Sequence, residues 1–112
     1  MTVQKFQPED IELTAMDVGR DLLVLITGGV RHIGAASTAY AEDGNVKAQT
    51  SAVPHHKEHT ISESIALKLA SALGRTVTVV MGIHYDNLSR EQIGRVVETV
   101  NSKVDEYLLQ HI

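Results

Sequence analysis

Three short stretches hold the side chains that could do chemistry. The first, Gly28-Gly29-Val30-Arg31-His32-Ile33-Gly34, follows directly on the apolar run 22–27. Adjacent glycines permit positive φ and close backbone approach, and bare amides beside a guanidinium make a cradle for a phosphate or carboxylate. A plain turn between strands uses the same glycines. The small residues that follow, Gly34 to Ser37, offer a flat surface for a ring, or for close packing against a helix. The second stretch, Pro54-His55-His56-Lys57-Glu58-His59-Thr60, stands just before a helix start. Free amides, the positive dipole end, Lys57 and three histidines suit an anion there, phosphate first. His55 and His59 are four apart and on a helix could chelate a metal; with Thr60 as the cap both fall in a loop, where a solvated polar segment is the competing reading. The third stretch is Gly82-Ile83-His84-Tyr85-Asp86-Asn87. Strand parity sends His84 to the face opposite Val77, Val79 and Met81, with Tyr85 at the strand end. His84 could act as acid–base group, metal ligand or structural hydrogen-bond donor, while Asp86 and Asn87 read as turn residues.

The elements that must position these groups are legible from periodicity. Residues 10–19 alternate, with Ile11, Leu13 and Ala15 on one face, and turn through Val18-Gly19-Arg20-Asp21 into the strand 22–29. A third strand is expected over 32–40, an Asp43-Gly44 hairpin turn after it, and a fourth strand over 46–53 that stops at Pro54. The period then changes. Ile61, Ile65, Leu69, Ala72 and Leu73 form a helical stripe, with Thr60 and Glu63 placed as a capping box and Gly74 as the stop. Residues 76–85 return to β-branched strand chemistry. A final helix opens on Ser89 with Gln92 three residues later, and Val96, Val97, Val100, Val104, Tyr107 and Leu108 continue the stripe of Ile93. The order ββββαβα predicts an α+β fold: one domain over 1–112, a mostly antiparallel five-stranded sheet, and two helices on one face.

Strands 22–26 and 77–83 are apolar at both parities, so both sheet faces need cover, and two helices supply only one. A two-fold partner subunit is the simplest second cover, and a planar ligand could take part of that surface.

Composition narrows the classes of function. With 112 residues, 43% hydrophobic and 21% charged, the chain has the balance of a globular domain. A net charge of -4 gives no basic footprint for nucleic acid. The absence of cysteine rules out disulfides, thiolate zinc sites and a cysteine nucleophile. No apolar run approaches the ~20 residues of a membrane span, and a cytoplasmic location is expected. No nucleophile elbow, Walker loop, paired-carboxylate motif or dinucleotide fingerprint is present.

Taken together, the stretches 28–37, 54–80 and 82–87 resemble the prenylated flavin chaperone (LpdD-like) family, helpers of UbiD-type decarboxylases such as gallate decarboxylase. The resemblance runs from about residue 10 to residue 110, in order and at compatible spacing. It implies a fold similar to the dimeric proteasome assembly chaperones. It also implies a non-catalytic or weakly catalytic homodimer that binds prenylated FMN, with FMN itself as a second guest, and assists its delivery or oxidative maturation. The implied partners are the decarboxylase and a flavin prenyltransferase. The family's glycine and histidine positions fall on Gly28, Gly29, His32, Ile33 and Gly34, and its later run falls on His84 to Asn87. Where relatives show a glycine-histidine pair before an acidic residue, this chain has His55 and His56. On that resemblance, Arg31, His32, His55, His56 and Lys57 are expected at the phosphate, and the small-residue strand with His84 and Tyr85 beside the ring. Two readings compete: a metal-dependent enzyme using His32, His55, His59 and His84, and an assembly chaperone with no small-molecule site.

Overall fold

The computed structural model describes residues 6–54 and 58–112; His55, His56 and Lys57 lie outside the described residues. A single 3-10 turn, Pro8–Asp10, leads into β1 (Glu12–Val18), β2 (Asp21–Gly29), β3 (Ala35–Glu42) and β4 (Asn45–Ala52). Then come α1 (His59–Leu73), β5 (Val77–His84) and α2 (Arg90–His111). The order ββββαβα and the α+β class are as expected.

The turns follow local chemistry. Gly19 has φ 60 in the β1–β2 hairpin, and Asp43 and Gly44 have φ 52 and 80, the paired positive values of a two-residue hairpin turn. Gly74 closes α1 in the left-handed region, its amide donating to the Ala70 carbonyl. Ser89 caps α2 in a reciprocal box with Gln92.

The start of α1 differs from expectation. The helix begins at His59, and Glu58 occupies the cap position without a cap hydrogen bond from its own side chain. Glu63, expected in a box with Thr60, instead accepts from the Thr50 hydroxyl at 3.0 Å. A buried hydroxyl chain sets this register: Ser62 Oγ meets Ser37 Oγ at 2.8 Å, and Ser37 meets Thr50 at 2.7 Å. Ser62 is therefore on the inward stripe with Ile65, Ala66, Leu69 and Ala70, and the stripe is rotated so that Ala72 is exposed.

The sheet order is β1-β2-β5-β3-β4. Three of its pairings are antiparallel, and β5 runs parallel to β2 because α1 carries the chain back over the sheet before it inserts between β2 and β3. That central placement explains why β2 and β5 are apolar at both parities. Leu22, Val24, Ile26, Val77, Val79 and Met81 face the helices and are at most 3% exposed. Against them pack Ile65 and Leu69 of α1 and Val100 and Val104 of α2. Neither helix covers the opposite face, where Leu25 of β2 is 39% exposed and Met16 and Val18 of β1 are 59% and 57% exposed.

Candidate functional site

The parallel pair β2–β5 ends at Gly29 and His84, and the three chemistry-bearing stretches approach each other there. Gly29 turns the chain with φ 64, in a place where a Cβ would run into the His84 carbonyl. Residues 32–34, expected to begin the third strand, instead cross the end of β5 together with Val30 and Arg31. Val30 N–H donates to His84 O at 3.0 Å and Gly34 N–H to Met81 O at 2.9 Å, so the crossing is anchored at both ends. Between those anchors the His32 carbonyl lies directly on Gly82, whose lack of a side chain is what admits it.

Beyond Gly34 no β3 residue remains to pair with Ile83. Its N–H donates to Glu58 Oε1 at 3.4 Å instead, and the Glu58 carboxylate fills the space that a Gly34 side chain would take, 2.5 Å from the ideal Cβ position. His32 completes the arrangement. Its Nδ1 lies 3.0 Å from the Val30 carbonyl, which can only accept, so Nδ1 carries the proton and Nε2 faces Glu58 Oε1 at 3.3 Å. Both side chains are mostly buried, at 21% and 12% exposure. The His84 ring stands edge-on to His32, 6.4 Å between centroids, and its Nε2 is 3.1 Å from Asp86 Oδ1.

The remaining expected residues are distributed around this junction. Arg31 points outward and pairs with Glu12 at 3.0 Å, both side chains more than half exposed. Such a surface pair is worth about 0–1 kcal/mol, so an incoming anion can replace the glutamate. Tyr85 lies on the helix side, 6% exposed, with Phe6 edge-on to its ring and its hydroxyl donating to Gln7 O at 3.3 Å. Burial first, and the nearby Asp10 carboxylate second, raise its pKa above the ordinary phenol value; a backbone hydrogen bond involving Gly29 opposes them. Gly28 leaves room for that hydroxyl, which would be 3.0 Å from a Cβ there. Alternate residues of the small-residue strand, Ala35, Ser37 and Ala39, are buried on the helix side, where Ser37 bonds to α1. Among the described residues no group of three or more histidine, aspartate or glutamate side chains converges as a metal site.

Glu58 and Gly82 carry much of this geometry and were not singled out by sequence. The partners of Glu58, His32 and Ile83, are distant in the chain, and Gly82 reads as an ordinary strand position.

Two cavities flank the junction on opposite faces of the sheet. On the open face, a shelf of about 390 Å³ is lined by Leu23, Leu25, Thr27, Arg31, His32, Ile33 and Val80. On the helix side, a cavity of about 250 Å³ lies between β5 and the first turns of the helices, with Glu58 in its wall.

A family model described as the prenylated flavin chaperone LpdD-like domain matches residues 5–112. The chain is 34% identical over 79 residues to Protein LpdD of Lactiplantibacillus plantarum, an alignment covering 68% of this chain and 58% of that protein. The chain thus matches somewhat over half the length of this relative. Among the described residues no helix is long and apolar enough to cross a membrane.

Proposed function

Because the chain belongs to the prenylated flavin chaperone LpdD-like family, we propose that it is a cofactor helper that binds prenylated FMN as cargo on the open-face shelf. It passes that cargo to, or supports its maturation in, a UbiD-type decarboxylase, with a flavin prenyltransferase as the source. The observation that carries this reading is the chemistry of the shelf. A fused ring system needs a flat apolar bed and its phosphate needs a cation. The shelf offers Leu23, Leu25, Ile33 and Val80 as the bed, and Arg31 is the one permanently charged side chain among its described lining residues. Its volume of about 390 Å³ lies within the ~300–1,000 Å³ of typical ligand sites. The helix-side cavity fits the cargo less well: about 250 Å³, with the Glu58 carboxylate in its wall to repel a phosphate.

In this reading the chain's own groups bind and orient. Arg31 exchanges Glu12 for the phosphate, and His32, whose Nδ1–H donates to Val30 O, presents a ring edge of fixed direction. Lys57, His55 and His56 belong to the phosphate end as a sequence-based assignment. A second copy of the chain covers the open face over the cargo, so that the shelf lies between the two copies. The residues that β2, β5 and β3 direct to the middle of that face, Leu23, Leu25, Thr27, Thr78, Val80, Ala36, Thr38 and Tyr40, are uncharged, while Asp21, Glu42 and His84 stand at the strand ends, so two copies can meet over an uncharged centre.

The test is the spectrum of the protein purified from cells that also express a flavin prenyltransferase. The parent is expected to carry a flavin chromophore and to sediment as a dimer. Leu25→Glu places a charge on the bed and is expected to lose the chromophore and sediment as a monomer. A colourless parent, or a Leu25→Glu variant as coloured as the parent, contradicts the reading.

A further inference from the structure

The helix-side cavity has a chemistry of its own. A space of about 250 Å³ stays open between Val96, Val97 and Val100 of α2 and the Ile83 end of β5. The space opens to the surface beside the packed core and has room for a one-ring ligand. Its described walls are mainly aliphatic, with Glu58, His84 and Tyr85 as the members that carry polar atoms, and His84 is held by Asp86 at 3.1 Å. Tyr85 contributes its ring, because its hydroxyl is turned to the Gln7 carbonyl. The acidic group in the wall is Glu58, fixed by the Ile83 amide and facing His32. A carboxylate accepts hydrogen bonds and disfavours anions.

We propose that this cavity is a second binding site, separate from the shelf, for a small uncharged aromatic molecule bearing a hydroxyl donor, of the size and kind of a phenol. The ring displaces water from the valine wall, and the hydroxyl donates to a Glu58 carboxylate oxygen. The phosphate of the cargo is excluded for the reason the phenol is accepted. Glu58 lines this cavity and His32 lines the shelf, and the two side chains meet at 3.3 Å, so the sites share one contact.

The experiment is a methyl-resolved NMR titration of the full chain with phenol, anisole and benzoate. Phenol is expected to give saturable shifts concentrated on the Ile61, Ile83 and Val97 methyls. Anisole, which cannot donate, and benzoate, which is anionic, are each expected to bind at least about tenfold more weakly, the scale of one hydrogen bond to a charged group. Val97→Phe, which fills the cavity, is expected to abolish the phenol shifts while keeping a dispersed spectrum. If that variant does not fold, the three-ligand comparison in the parent decides. Absence of saturable phenol shifts, benzoate or anisole binding as tight as phenol, or unchanged phenol binding in folded Val97→Phe overturns the proposal. None of these outcomes bears on the flavin site, whose test uses a different ligand and face.

Discussion

Replacing Gly82 by alanine tests the architecture of the site with one methyl group. An ideal Cβ at this position falls inside the His32 carbonyl and also meets Ile33 N, so the obstacle is backbone and no side-chain rotation relieves it. The 30–34 segment must lift from the end of β5, and what holds it there is known. Val30 N–H to His84 O and Gly34 N–H to Met81 O contribute about 1 kcal/mol each, and overpacking at a close contact adds roughly 1–3 kcal/mol. Gly82→Ala is therefore expected to lower unfolding stability by about 3–5 kcal/mol in urea titrations and to separate His32 from Glu58, read as a shift of the His32 ring resonances. Gly94 supplies the control. It lies within α2 with nothing within 4 Å of a Cβ, so Gly94→Ala is expected to stabilise by roughly 0.5–1 kcal/mol. A Gly82→Ala protein of parental stability with an unmoved His32 resonance refutes the packing argument.

Tyr85 is buried with its pKa raised, so the phenol protonates more readily in the folded chain than in the unfolded one. Its contribution is complete below the ordinary value of about 10 and is lost as pH rises beyond it toward the folded value. Urea titrations from pH 8 to 11 are expected to show that alkaline loss in the parent and a smaller one in Tyr85→Phe; identical slopes contradict the assignment. Ser62→Ala removes the link between α1 and the Ser37–Thr50 hydroxyls in a fully buried position, and is expected to cost about 1–2 kcal/mol in thermal or urea unfolding. A change under about 0.3 kcal/mol shows that the hydroxyl chain does not fix the helix. If the cavity and the shelf share the Glu58–His32 contact, saturating phenol changes flavin affinity and saturating flavin changes phenol affinity by the same factor, measurable by paired titrations.

What was legible in the sequence is what short-range chemistry decides. Asp43-Gly44, Gly74 and the Ser89–Gln92 box behave as their residue types require, because each acts within a few residues of itself. Strand order was not legible, since the insertion of β5 between β2 and β3 depends on pairings across the whole sheet. The α1 cap was misplaced for a related reason. Thr60 and Glu63 satisfy a local capping pattern, but Glu63 serves Thr50 and the buried Ser62–Ser37 bond sets the helix register. At the site, Gly28-Gly29 and His84 marked the right sheet end. Glu58 and Gly82 did not stand out, because a carboxylate anchoring a histidine and a glycine admitting a carbonyl are recognisable only once the crossing segment is in place.

The central claim, prenylated FMN on the shelf with its phosphate at Arg31, is tested most directly by titrating the purified protein and its Arg31→Ala variant with that ligand. The account predicts saturable binding to the parent and affinity lower by roughly 10- to 100-fold in Arg31→Ala, the range of charge-assisted hydrogen bonds of about 1.5–3 kcal/mol. Equal affinity in the two proteins, or no binding to the parent, contradicts it.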